Sequence, residues 1–361
     1  MAEGETVPLS AHGGLPDLDV RLHVAKVRLD LRLTDPAHLP PFVGSTLRGA
    51  FGHAFRSCVC ATHRPTCGDC LVLRTCPYSY VFDTPVPQGA PMMRLYTHAP
   101  HPFVIEPPDE SPSLLRPGSV LRFSLILIGK GCDYLPYFVL AFQELGKMGI
   151  GRDRARFVLQ SVSDASPSGD GTVLFDEKTQ RLGTPRRFVP AFGQDEDPVG
   201  RVSIVFRSPA RIKFMEHLTL DLPFHVLVRA LLRRISALSA FHGPGPLVGD
   251  FAGLIGLATA VSTVRSRLRW AEFQRFSGRQ ERRMRLGGAM GEEFMKAADS
   301  WDGVLGARNG SPLGHGFRSV DKRHCDRLME MLRDLARAHY PEEFEAACRT
   351  LTFPWTEAPQ Q

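Results

Sequence analysis

Residues Val120–Ile128 (VLRFSLILI) are apolar at odd and even positions alike. A strand of that kind has to be covered on both faces, which places it in the middle of a sheet within a layered fold. Nine residues fall far short of the roughly 20 that cross a bilayer, and Val139–Phe142 is shorter still. The chain of 361 residues has length for about two domains. At 43% hydrophobic and 23% charged it has the composition of a globular protein rather than a disordered one. Met1–Asp17 carries neither a basic nor an apolar leader segment, so the expectation is a cytoplasmic protein with no membrane partner.

Other elements arrange themselves around that strand. Val20–Leu33 alternates apolar and polar residues, and its phase slips once near Ala25–Lys26, as a β-bulge would make it do. Pro36, Pro40 and Pro41 enforce a loop. Gly44–Ser57 then reads as a helix capped by Ser45, with Leu47, Ala50, Phe51, Ala54 and Phe55 inward. Asp133 caps a second helix running to Met148, and Pro136 is tolerated in its first turn. Arg156–Val162 is another strand. This order suits an α+β, ferredoxin-like βαββαβ sandwich with one strand hidden in the Pro-rich stretch 85–117.

The acidic QDEDPVG at 194–200 is a candidate linker. Beyond it, Arg201–Arg211 reads as a strand, Phe224–Phe241 as an amphipathic helix, and Gly249–Val264 as a weaker helix. Arg267–Phe276 reads as a strand, Gly287-Gly288 as a turn, and Asp321–His339 as a final helix. The repeated strand–helix–strand order predicts tandem domains of one fold type. They are bounded as a flexible terminus 1–18, a first domain 19–195 with a Cys-rich insert 58–78, and a second domain 200–361 with a helical tail 321–361.

The formal net charge is only +6. Of the 44 basic residues seven are lysine, and a G/C-rich genome produces the same bias toward arginine. The location of the charge says more. Arg265–Arg285 holds eight arginines and two glutamates, which is the whole formal excess. A localised positive segment interleaved with Trp270, Phe273 and Phe276 fits phosphate gripping with base stacking. Trp270 and Phe276 are expected to face a core instead. Gly149-Ile150-Gly151-Arg152-Asp153-Arg154-Ala155-Arg156 follows a helix and opens a strand, the reverse of a dinucleotide fingerprint. Gly149 or Gly151 serves there as a left-handed helix C-cap, and the arginines can contact phosphate.

Five of the eight cysteines lie between 58 and 76. Four thiolates at Cys60, Cys67, Cys70 and Cys76 could close a tetrahedral structural zinc site around the Cys67-x-x-Cys70 turn, with Cys58 or His63 as substitutes for Cys60. An iron–sulfur cluster uses the same ligands. Cys132, Cys325 and Cys348 read as ordinary thiols.

Several of these stretches taken in order resemble a known family. They are Leu39–Phe55 (LPPFVGSTLRGAFGHAF), the cysteine block ending Cys76-Pro77-Tyr78, and Pro102–Ile105 before Pro107-Pro108. Gly149–Phe157 (GIGRDRARF) and Trp270–Gly291 (WAEFQRFSGRQERRMRLGGAMG) complete the set. Over most of residues 20–291 the chain resembles the CRISPR precursor-RNA-processing endoribonucleases of the RAMP superfamily. The resemblance implies two ferredoxin-like (RRM-like) domains joined by a cleft, and cutting of CRISPR repeat RNA into guide units (crRNA). It implies retention of the product among other Cas proteins of an effector complex, and a 2′-hydroxyl attack that needs no metal. The family's Gly-rich RNA-gripping loop, GxGxxxGLGxY, has a loose counterpart at Gly306–Arg318 (GARNGSPLGHGFR).

The family places its catalytic histidine in the region of His53, the first candidate, and of His38, the second. Arg48 and Arg152 are candidates to stabilise phosphate charge. Gly149, Gly151, Arg154, Arg156, Arg275, Arg279, Arg282, Arg283 and Arg285 are candidates to bind RNA, and Tyr96 and His98 are unassigned alternatives. A non-catalytic RNA-binding RAMP subunit is the alternative reading, and a metal-cluster redox protein is a third.

Overall fold

The computed structural model describes residues 20–297, apart from 41, 87–89, 91–96, 109–112, 191–200 and 278–281, and without the side chains of 273–286 and 297. The linker, the termini, the loop at Gly306–Arg318 and the final helix expected at Asp321–His339 lie outside the described residues.

The alternating segment forms β1 (Val24–Leu33), followed by the short β2 (Ala37–His38) and α1 (Val43–Val59). Next come β3 (Phe103–Glu106), β4 (Leu114–Leu115), β5 (Val120–Ile128), α2 (Leu135–Met148), β6 (Phe157–Asp164) and β7 (Val173–Asp176). The main sheet has the order β3-β5-β1-β6-β7, antiparallel throughout, and β2 pairs with β4 apart from it. Without β7, the chain order βαββαβ and this strand order define a ferredoxin-like sandwich. The strand expected in the Pro-rich stretch is β3, at the sheet edge.

Both helices cover one face of the sheet. Leu47, Phe51, Ala54 and Phe55 recur at helical spacing on α1 and are buried. Phe51 stacks on Phe138 and Phe142 of α2 at ring separations of 4.9 and 4.7 Å. Ser45 does not cap α1. Its hydroxyl donates to the carbonyl of Phe42, which is the N-cap residue. Asp133 likewise sits inside a 3-10 turn (Gly129–Tyr134) ahead of α2 and accepts from Arg187.

The phase slip in β1 has a different cause from a bulge. The β1–β5 register runs without a shift from Val24↔Ile128 to Arg32↔Val120, and the irregularity against β6 lies at Asp30/Leu31. Ala25, Val27, Leu29, Leu31 and Leu33 face the helices. Leu22 and Val24 face the other way, joining Ile126, Ile128 and Leu238 in a separate apolar cluster. The pattern slips because this end of the sheet is covered on its second face. Farther along, that outer face turns polar, with Arg122 on Asp30 at 2.9 Å and Arg32 on Glu177 at 3.0 Å.

Leu238 comes from the second half. There β8 (Arg201–Ala210) and a small hairpin of β9 (Lys213–Phe214) and β10 (His217–Leu218) precede α3 (Phe224–His242) and α4 (Phe251–Ala258). β11 (Val261–Ser266), β12 (Arg269–Ser277) and β13 (Arg282–Ala297) follow. β13 pairs β8 along one edge and β11 and β12 along the other, all antiparallel. That is the first three-quarters of a second ferredoxin-like unit, β8–α3–(β11, β12)–β13. Two expectations are corrected here. The segment 249–264 is helical only to Ala258 and then becomes β11. Gly287-Gly288 lies inside β13, because the β12–β13 ladder continues through Glu272↔Gly287 and Ala271↔Gly288. β12 ends at Ser277 and β13 begins at Arg282.

The end of α3 packs against Gly129. This glycine has φ +55, and a Cβ there would stand 1.9 Å from the carbonyl oxygen of His242. Gly129→Ala is therefore expected to lower stability by more than the 1–2 kcal/mol of left-handed backbone alone, read as the shift of the urea unfolding curve. An unchanged midpoint would refute the close approach.

Candidate functional site

α2 ends because Gly149 takes φ +82, and its N–H closes the last turn on Leu145 at 2.8 Å. The chain then makes a tight loop closed by Ile150 and Ala155, which exchange N–H···O bonds of 2.9 Å in both directions. A Cβ on Gly149 would lie 2.1 Å from the carbonyl oxygen of Arg154. Only glycine allows that closure. Gly149 is the C-cap, but with ψ 160 rather than the left-handed helical conformation expected, and the loop has a further use. Gly151, at φ +74, comes so near β2 that a Cβ would meet the His38 carbonyl oxygen at 2.9 Å.

That approach sets Asp153 against His38. Its Oδ2 lies 2.6 Å from Nδ1 of His38 and 3.3 Å from the His38 backbone N–H. The His38 hydrogen bond, aided by the charge of Arg152, holds the Asp153 carboxyl below its ordinary range, so it is a carboxylate at neutral pH. A carboxylate only accepts, so Nδ1 carries the proton. In the neutral tautomer with Nδ1 protonated, the lone pair is on Nε2. The His38 side chain is 64% exposed. Arg152 and Arg154 flank Asp153 and are exposed. Arg156 is committed elsewhere, donating from Nε to Asp35 at 2.8 Å.

The other candidates are dispersed. His53 is exposed on α1, about 15 Å along the helix from its first residue. It forms no hydrogen bond or ion pair among the described residues. Arg48 is half-buried, with its guanidinium over the rings of Phe103 (5.0 Å) and Phe82 (6.0 Å). His98 shares a 2.7 Å hydrogen bond with Thr97, and Tyr96 lies outside the described residues. In the basic segment, Arg275, Arg282, Arg283 and Arg285 occupy the β12–β13 hairpin, their side chains lying outside the description, as does the whole of Arg279. Trp270 does not face a core. It is 38% exposed and lies across Gly287, where a Cβ would stand 2.2 Å from its Nε1.

Cys60, Cys67, Cys70 and Cys76 all border one small pocket. Burial raises the Cys67 thiol. At Cys60 burial acts upward too, but hydrogen bonds from His63, Thr62 and Arg56 outweigh it and lower the thiol. The Thr62 hydroxyl, 3.3 Å away, lowers Cys70.

One cluster carries no motif. At the contact between the halves, Nε2 of His242 donates to the Pro100 carbonyl at 2.7 Å, and Tyr80 donates its hydroxyl to Nδ1 at 3.0 Å. Tyr80 also stacks on Tyr134. His101 packs beside Phe82 and Phe103. Burial, helped by the charges of Arg48 and Arg234, pushes His101 down from 6.5 to about 3. Burial lowers His242 as well. Nothing in the spacing of these residues marks them, since the partners come from distant segments.

Residues 22–186 match the family model AF_1859_N, described as an N-terminal domain. An uncharacterized protein of Archaeoglobus fulgidus is 29% identical over 159 residues, 43% of this chain, and the chain spans 53% of the length of that relative. Three solved structures are similar to it. A Cas6 product complex gives a TM-score of 0.44 at 16% identity, over 87% of this chain and 92% of that one. Thermus thermophilus Cas6 gives 0.42 at 14% identity, over 87% and 91%. A partial Cas6-RT-Cas1–Cas2 complex gives 0.48 at 14% identity, over 89% and 44%. Among the described residues no helix is long and apolar enough to cross a membrane.

The two buried histidines make stability depend on pH. Their folded-state affinity for protons lies below that of the unfolded chain, so below pH 6.5 the unfolded state binds more protons and gains population. The histidine contribution is full above that value and is lost on acidification, for His101 by up to about 1.4 kcal/mol per pH unit toward about pH 3, while Glu293, raised by burial to about 7, acts in the opposite sense as pH rises from 4.5 to 7. Thermal melts of the chain and of His101→Phe across this range check it, and the variant should show the shallower slope.

Proposed function

We propose that the chain binds CRISPR repeat RNA and cuts it into guide units, using a 2′-hydroxyl as nucleophile and no metal in the reaction. The observation that supports this most directly is the His38–Asp153 pair, held on a glycine loop between two exposed arginines. The sequence motifs of the RAMP endoribonucleases run through the same loop.

The 2′-oxygen attacks the adjacent phosphorus, the bond from phosphorus to the 5′-oxygen breaks, and a 2′,3′-cyclic phosphate and a 5′-hydroxyl result. One group must take the 2′ proton and another must protonate the departing oxygen. His38 suits either role because its working nitrogen is Nε2, while Asp153 fixes the ring and stabilises the imidazolium. Arg152 and Arg154 face solvent where a phosphate could lie, and their charge would offset that of the phosphorane. His53 has no comparable orienting partner, so His38 takes precedence over it.

A non-catalytic RNA-binding subunit is the second reading. It is favoured by the exposure of His38, since a proton carrier works best where water is excluded. The experiment incubates the chain with its repeat RNA in EDTA. His38→Ala is expected to reduce cleavage by about 10²–10⁴-fold, with binding retained. Asp153→Asn should give a smaller loss and a shifted pH profile, and His53→Ala should leave the rate unchanged. Each of Arg152→Ala and Arg154→Ala should reduce the slope of log affinity against log salt by roughly 0.7. Binding without cleavage would establish the second reading, and cleavage that requires added Mg²⁺ or Mn²⁺ would overturn the mechanism.

A further inference from the structure

The segment between α1 and Tyr78 has almost no interior. Most of its side chains face water, and its leucine at position 71 is 91% exposed. Its order rests on exposed hydrogen bonds. Arg56 donates to the carbonyls of Arg64 and Pro65, and Arg64 to that of Asp69 at 2.9 Å. Bonds of this kind compete with water and cannot replace a core. Short segments that lack a core are held by cross-links or metals.

The thiols are placed where such a cross-link would act. Cys60 is the C-cap residue of α1, with its N–H on Arg56 at 2.9 Å. Cys76 opens the helical turn that includes Tyr78 and Tyr80, and its carbonyl accepts from the Tyr80 N–H at 3.0 Å. These two thiols therefore stand on elements tied to the sandwich. Cys67 and Cys70 stand on the exposed turn, closed by the Cys70 N–H on Cys67 at 3.1 Å. All four ring one cavity of ≈ 10 Å³, which is room for a single small occupant.

We propose that Cys60, Cys67, Cys70 and Cys76 bind one zinc ion as thiolates, fastening the turn at Cys67–Cys70 to the ends of two helical elements. The thiols border the cavity without converging: among the described residues no group of three His, Cys, Asp or Glu is set to hold a metal. Binding would require the four sulfurs to come to about 2.3 Å from one centre. Zinc suits the donor set because four thiolates complete a tetrahedral shell and leave no position for water or substrate. The site is structural, and it is independent of the RNA chemistry proposed above.

The test uses the full chain, purified under reducing conditions without chelator. Elemental analysis is expected to give about one zinc per chain. Cobalt(II) exchanged into the site should show the visible bands of a tetrahedral tetrathiolate with a near-ultraviolet thiolate-to-cobalt band. Cys67→Ser and Cys70→Ser should each lose the metal, whereas Cys58→Ser, outside the cavity, should keep it. Should either of the first two variants misfold by circular dichroism, the wild-type chain supplies the readout. Zinc added to the stripped protein should slow modification of the four thiols by a disulfide reagent and slow proteolysis between 61 and 75. Zinc retained by both variants, iron with labile sulfide in its place, or no zinc protection of the stripped protein would overturn the proposal.

Discussion

The β1–β5 pair is buried on both faces at one end and on one face at the other, and much of the molecule follows from that gradient. Near Val24 and Ile128 the sheet is sandwiched between its own helices and Leu238 of α3. Near Asp30 and Arg122 the outer face is ionic. A sheet made this way can accept a second unit at one end only. Lys26 marks the transition: it is buried, and its ammonium reaches Glu106 at 2.8 Å on the covered side. A buried pair of this kind does little for net stability but is costly to break singly, so it holds β3 and β1 in place at the covered end of the sheet.

The contact between the halves is finished with polar groups of defined direction. His242 donates on one side and accepts on the other, which fixes its tautomer and the rotation of the last turn of α3. Gly129 lets the backbones meet where any side chain would separate them. The candidate site uses the same device on another part of the first unit, where Gly151 lets the α2–β6 loop touch β2 and bring Asp153 to His38. Each time a glycine removes a Cβ so that a histidine can be oriented by a segment more than 100 residues away in sequence.

Much of this architecture could be read from the residues. Val120–Ile128 announces a strand covered twice, and it lies between β3 and β1 as that requires. The phase slip at Ala25–Lys26 was equally visible. A periodic pattern records which faces are covered but not what covers them, so a docked helix looks like a bulge. The glycine loop was legible as a motif. The role of Asp153 was not, because its partner arrives through the separate pairing of β2 with β4. Trp270 misleads for a related reason: an aromatic on a strand needs only something flat beneath it, and Gly287 across the ladder supplies that.

The last consequence concerns the long strand β13. Its pairing with β8 stops at Ala289↔Ala210, while its pairing with β12 continues to Ser277↔Arg282. Gly287 and Gly288 still lie against Pro209, Ala210 and Arg211, so among the described residues only Arg282–Leu286 has β12 as its single paired strand. With β12 it forms a two-stranded beam rooted in the sheet, about five residues or roughly 17 Å long. A beam two strands wide bends and twists far more easily than the four-stranded sheet it grows from. A load on the hairpin is therefore taken up in its own bending before it reaches the sheet.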